Sequence, residues 1–179
     1  MMDGVFSVLS VTLFVLSNQL VSSGASLSGV RRPMPPFAIE ARSKTTFGTT
    51  FHNFEASNET GFTVELDAKA AIGGEGKGFR PMEMMLVGAG GCTCFDVVMI
   101  LKRARQDIQD CKVELQAERA EEDPKIFTKI HMKFTVIGKN LDRGRVEKAV
   151  ELSHDKYCSA TIMLGKTAEI THSIELIEL

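Results

Sequence analysis

The stretch PMEMMLVGAGGCTCFDVVMILKRAR, residues 81–105, decides the fold. From Met82 to Leu101 it is nearly all apolar, broken only by Glu83 and Asp96. At helical spacing Met85, Ala89, Cys92, Val97, Ile100, Leu101 and Ala104 make a broad buried face. Lys102, Arg103 and Arg105 follow at the end where the helix dipole favours cations. Pro81 suits a first turn, because the N–H it lacks has no partner there anyway. Gly88, Gly90 and Gly91 weaken a helix by roughly 1 kcal/mol each, so their use is close approach of another segment just before Cys92. A thiol in such a helix is either inert packing or a working nucleophile.

Working outward, Val113, Leu115 and Ala117 alternate with Glu114, Gln116 and Glu118, a half-exposed strand. Ile126, Thr128, Ile130, Met132, Phe134 and Val136 then face one way, opposite Lys129, His131 and Lys133, the clearest period-two run in the chain. Asp142 fits an N-cap. It opens a helix from Arg143 to about Tyr157 that buries Val146, Ala149, Val150 and Ser153, with Cys158 at its end. Ile170, His172, Ile174 and Leu176 share one face of a last strand, with His172 as a core or interface histidine. Upstream, Thr45–Phe54 and the alternation of Phe62, Val64 and Leu66 flank SNETG as a hairpin. Strands grouped apart from two helices predict an α+β fold.

Composition narrows function. With 179 residues, a net charge of −2, one tyrosine and no tryptophan, the chain fits one domain that lacks a basic or base-stacking footprint for nucleic acid. Residues 1–38 read as a targeting segment and linker, ahead of a domain at 39–179. Val5–Leu16 has the length of a signal-peptide h-region, too short for a membrane span, and VRRPMPP makes the linker. The start MMDG lacks the positive charge usual in that pattern. The segment therefore predicts secretory or organellar entry, with the cytoplasm as the alternative. Asn58-Glu59-Thr60 is a glycosylation sequon that matters only on the secretory route.

Residues 72–78, IGGEGKG, form a glycine-rich loop without Walker spacing, which reads as a tight connection before a phosphate cradle. Four cysteines, Cys92, Cys94, Cys111 and Cys158, are too few and too scattered for a disulfide scaffold. Cys94 and Cys111 read as packing. His154 and Cys158, four apart, could hold zinc with Cys92 as a third ligand. No compact second ligand pair accompanies them, so no metal and no cofactor is expected.

GGEGKGFRPMEMMLVGAGGCTCFDVVMILKRAR, followed by VEKAVELSHDKYCSATIML, resembles the OsmC/Ohr family of thiol-dependent peroxidases, in the branch written with GGC and a later KYCS. The resemblance runs from about Phe47 to the C-terminus. It implies antiparallel sheets wrapped around two central helices in an intertwined homodimer, with sites at the subunit interface. It also implies Cys92 as the peroxidatic cysteine, Cys158 as the resolving one, an organic hydroperoxide as substrate and an external dithiol as reductant. In the family an arginine from the N-terminal strands and a glutamate near the helix start support the thiolate. No arginine lies between Thr45 and Phe62; Arg80 and Arg42 stand nearest in sequence. Glu83 falls one position after the family glutamate. Asp96, four residues beyond Cys92 on the same helix face, adds a carboxylate that works against a thiolate. A non-catalytic member, sensing redox state or binding small apolar molecules, is the alternative reading.

Overall fold

The structure is a computed structural model that describes the backbone of residues 7–13 and 39–43, and residues 53–58 and 60–179 in full. The rest of 1–38 lies outside the described residues, as does the Arg42 side chain. The elements are β1 (Ser7–Leu13), β2 (Ile39–Ser43), β3 (Asn53–Asn58), β4 (Thr63–Asp67), α1 (Pro81–Arg103), β5 (Asp107–Arg119), β6 (Phe127–Lys139), α2 (Arg143–Leu152), α3 (Ser159–Leu164) and β7 (Glu169–Glu178). They belong to two compact units, one of residues 1–17 and 85–179, the other of residues 18–84.

The smaller unit is a three-stranded antiparallel sheet in the order β2-β3-β4. Asn58 closes the β3–β4 turn, its Oδ1 accepting from the Thr60 and Phe62 amides at 3.1 and 3.0 Å. The glycine-rich loop has an internal anion. Buried Asp67 accepts N–H bonds from Ala68 (2.7 Å), Glu75 (2.9 Å) and Lys77 (2.9 Å). Those bonds, led by the Lys77 amide, hold its carboxyl below the ordinary range. Donors that a phosphate would need are already engaged by the chain itself, as the tight-connection reading requires. Gly76 sits at φ 71°, and a Cβ at Gly78 would meet the Glu65 carbonyl oxygen at 2.4 Å, so glycine is required at both.

In the larger unit the sheet order is β1-β5-β6-β7. β5 and β6 form an antiparallel hairpin in which Cys111, Val113, Leu115 and Ala117 lie opposite Val136, Phe134, Met132 and Ile130. All eight are buried, so the period-two pattern becomes one apolar sheet face. The phase breaks at one end. A register shift between Glu118 and Arg119 sets Arg119 opposite Phe127, burying Phe127 and leaving Ile126 exposed, the reverse of the alternation read from sequence. β1, whose residues read as part of an h-region, pairs antiparallel with β5 from Ser7↔Ala117 to Leu13↔Cys111.

β7 runs parallel to β6, so this sheet is mixed rather than wholly antiparallel. A parallel neighbour needs a long crossover, and α2 and α3 supply it. His172 keeps the parity of Ile170 and Ile174, but it is exposed rather than in the core, its ring 6.1 Å from that of His154.

α1 buries Leu86, Ala89, Gly90, Thr93, Cys94, Val97, Val98 and Leu101. The face is rotated from the one read by spacing: Met85 is exposed and Cys92 half-buried, while Leu86, Thr93 and Cys94 point inward. The continuous apolar run allowed several faces, and packing against β5 and against the helical crossover selected this one. Cys94 donates to the Cys111 carbonyl of β5 at 3.2 Å. α1 is long and apolar enough to cross a membrane, yet a large share of it is buried in the protein, as in the core helix of a globular domain. It ends in a Schellman closure, with Gln106 N–H on the Leu101 carbonyl, Arg105 N–H on that of Lys102, and Arg105 left-handed at φ 56°. Arg145 reaches the Ala104 carbonyl at 2.7 Å, and Asp142 caps α2 through the Arg145 amide at 2.9 Å, as read from sequence.

Candidate functional site: a dithiol and a carboxylate

Two features of the helical crossover place Cys158. After Leu152, α2 widens into a π turn over Ser153–Tyr157, closed by the Cys158 amide on the Ser153 carbonyl at 2.8 Å. Such turns add a residue without ending the helix and recur at functional sites. The sequence reads as helix through Tyr157 because composition does not distinguish i→i+5 from i→i+4 bonding. Cys158 then takes extended φ/ψ and becomes the N-cap residue of α3, a short helix that the sequence pattern missed. Thr161 donates back to the Cys158 carbonyl at 3.0 Å.

The Sγ atoms of Cys92 and Cys158 and a carboxylate oxygen of Asp96 all lie within 4.8 Å of one another. Residues 66 positions apart in the sequence thus meet inside one chain, although the family resemblance places such sites at a subunit interface. Both thiols are free. A disulfide needs the sulfurs at about 2.05 Å, so oxidation calls for a closing movement of less than ~3 Å. Cys92 and Asp96 are half-buried and Cys158 is fully buried, so a reagent from solvent meets Cys92 first.

The cluster is held from below. Buried hydroxyls of Thr93 on α1 and Ser153 on the π turn hydrogen-bond each other at 2.9 Å. Ser153 Oγ also lies 3.4 Å from the Thr93 carbonyl and 3.5 Å from Asp96 Oδ2. Burial pushes the Cys158 thiol up to about 11; the Thr161 hydroxyl opposes the rise and the Cys92 sulfur adds to it. Burial also raises Asp96, against the Ser153 hydroxyl. Low-dielectric surroundings thus favour the neutral form at both positions.

A second thiol pair lies apart from this site. Cys94 and Cys111 are both buried; their hydrogen bond holds the Cys94 thiol below the ordinary range and, with burial, pushes Cys111 upward. Arg80 and Glu83 belong to the smaller unit. Glu83 accepts from the Arg80 amide at 3.0 Å and from its Nε at 2.7 Å, and Arg80 Nη2 completes a fork, so the pair caps the first turn of α1. His154 does not join the cysteines; its Nδ1 bonds Asp155 at 2.8 Å. Asp96, which the sequence offered only as a disturbance to a thiolate, is the third member instead. Its i, i+4 spacing from Cys92 was the available signal.

An α+β domain that gathers two free cysteines from the centre of a long apolar helix and from a helical crossover defines a class of dithiol proteins. The OsmC-like protein family profile matches residues 74–173, so the chain belongs to the OsmC-like family. It is 44% identical over 139 residues to Protein YhfA of Escherichia coli strain K12, covering 78% of this chain and 98% of that protein. A hypothetical protein from Aquifex aeolicus VF5 has a similar structure, with TM-score 0.65 and 28% identity over 81% of this chain and 100% of that one. The organic hydroperoxide resistance protein OhrB of Bacillus subtilis shares the fold, with TM-score 0.56 and 17% identity over 80% and 100% of the two chains.

Proposed function

We propose that the protein is a thiol-dependent peroxidase that reduces organic hydroperoxides through Cys92 and Cys158. The observation that carries this reading is the approach of the two sulfurs within one chain, with the more accessible thiol on the helix. The Cys92 thiolate attacks the distal peroxide oxygen: an S–O bond forms, the O–O bond breaks, and the alcohol leaves with a proton. Cys158 then attacks the sulfenic sulfur, forming the disulfide and releasing water. An external dithiol returns both thiols. Exposed Phe95, three residues after Cys92 on α1, and exposed Met85, two turns before it, suit an apolar peroxide substituent better than hydrogen peroxide.

The reading includes an intertwined homodimer, which would cover the exposed Met85, Phe95, Tyr157 and Met163 of the larger unit. It assigns Arg80 and Glu83 to supporting the reactive thiolate, and residues 1–38 to targeting and linkage ahead of the domain at 39–179. Full burial of Cys158 favours a second reading, a non-catalytic OsmC-like protein in which the dithiol senses redox state or the domain binds small apolar molecules, because a neutral thiol resolves a sulfenic acid slowly. Cumene hydroperoxide consumption with dithiothreitol separates the two. The peroxidase reading expects turnover that Cys92→Ser abolishes and Arg80→Ala reduces; a wild-type protein that consumes no peroxide refutes it.

A further inference from the structure

We propose that Cys92, Asp96 and Cys158 also form a binding site for a thiophilic divalent cation of the zinc type, open to solvent at its fourth position. The ligand set suits that class: two thiolates select soft or borderline metals, and one carboxylate oxygen completes a three-point base. Tetrahedral zinc at about 2.3 Å from sulfur and 2.0–2.2 Å from oxygen needs ligand atoms roughly 3.5–3.8 Å apart. The three atoms already lie within 4.8 Å, so rotamer adjustment of about 1 Å closes the site. Cys92 and Asp96 are successive positions on one helix face, and Cys158 is fixed by the π turn and by its place before α3.

A supporting shell is present. The Ser153 hydroxyl lies 3.5 Å from Asp96 Oδ2 and is tied to Thr93, which orients the carboxylate as outer-shell partners do at metal sites. The half-buried sides of Cys92 and Asp96 leave room for water as the fourth ligand. Binding forms two metal–sulfur bonds and one metal–oxygen bond and releases both thiol protons to solvent. No electron moves, so the cation competes with oxidation for the same sulfur lone pairs.

Cobalt(II) chloride titrated into the reduced, full-length protein without oxygen tests the site, and no hydroperoxide enters the experiment. Failure of the peroxidase reading therefore leaves its result intact. One cobalt per chain is expected, with a thiolate-to-cobalt charge-transfer band in the near ultraviolet and the intense visible bands of tetrahedral cobalt, both displaced by zinc. Cys92→Ser and Cys158→Ser each weaken the charge-transfer band, and Asp96→Asn lowers affinity by at least the ~10–100-fold typical of outer-shell changes. Cys94→Ser/Cys111→Ser retains the full signal. Zinc also raises the melting temperature of the wild type and leaves that of Cys158→Ser unchanged. Reduced wild-type protein that binds no cobalt, a spectrum without charge transfer, or a signal that survives Cys92→Ser and vanishes in Cys94→Ser/Cys111→Ser overturns the proposal.

Discussion

Removing either hydroxyl of the Thr93–Ser153 pair probes what holds the dithiol together. Both side chains are buried, and their 2.9 Å bond joins α1 to the π turn that carries Cys158. A buried polar group left without its partner costs about 1–3 kcal/mol. Each survivor has a fallback here, which points to the low end. After Ser153→Ala, Thr93 can donate to the helix carbonyl four residues back. After Thr93→Val, Ser153 keeps acceptors in the Thr93 carbonyl at 3.4 Å and Asp96 Oδ2 at 3.5 Å. Each single change should therefore cost about 1 kcal/mol, or roughly 2–4 °C in Tm for a chain of this length. The double variant removes donor and acceptor together, so it should cost less than the sum by about 0.5–1 kcal/mol. Urea denaturation of all four proteins measures this cycle, and the glutathione equilibrium of the Cys92–Cys158 disulfide reports whether the sulfurs remain paired. Strict additivity, within about 0.3 kcal/mol, would show that the two hydroxyls do not act as a pair.

Three further outcomes follow from local structure. Cys158→Ser should let one equivalent of organic hydroperoxide convert Cys92 to a sulfenic acid that dimedone labels and mass spectrometry detects; unlabelled Cys92 counts against Cys158 as the resolving thiol. Arg105→Gly should raise stability by about 0.5–1 kcal/mol in urea denaturation, since glycine takes the left-handed position of the α1 closure without the Cβ penalty; a loss of stability would contradict that closure. The depressed carboxyl of Asp67 contributes stability above the ordinary aspartate range and loses it as pH falls through the folded-state value. Asp67→Asn should therefore make the 73–78 loop sensitive to protease at neutral pH and flatten the acid dependence seen in the wild type, and unchanged cleavage across pH would refute this.

Much was legible in the sequence because local chemistry wrote it there. The alternation from Val113 to Ala117 and from Ile130 to Val136, the apolar run of α1 and the Asp142 cap each depend on neighbours a few residues away, so they appear as short-range patterns. The GGC and KYCS motifs likewise pointed to the family. Where several local choices were nearly equal, tertiary structure decided. An almost uniformly apolar helix can bury any face, and tertiary packing, with Cys94 on β5 and Thr93 on the π turn, selected Leu86, Thr93 and Cys94 and left Cys92 half-buried. A one-residue shift at Arg119 exchanged Phe127 for Ile126, and a π turn, invisible to composition, delivered Cys158 to the start of α3. The meeting of Cys92, Asp96 and Cys158 belongs to this second class: two of the three are one helical turn apart, but the distance to the third was closed by the packing of the crossover against α1, which no spacing rule contains.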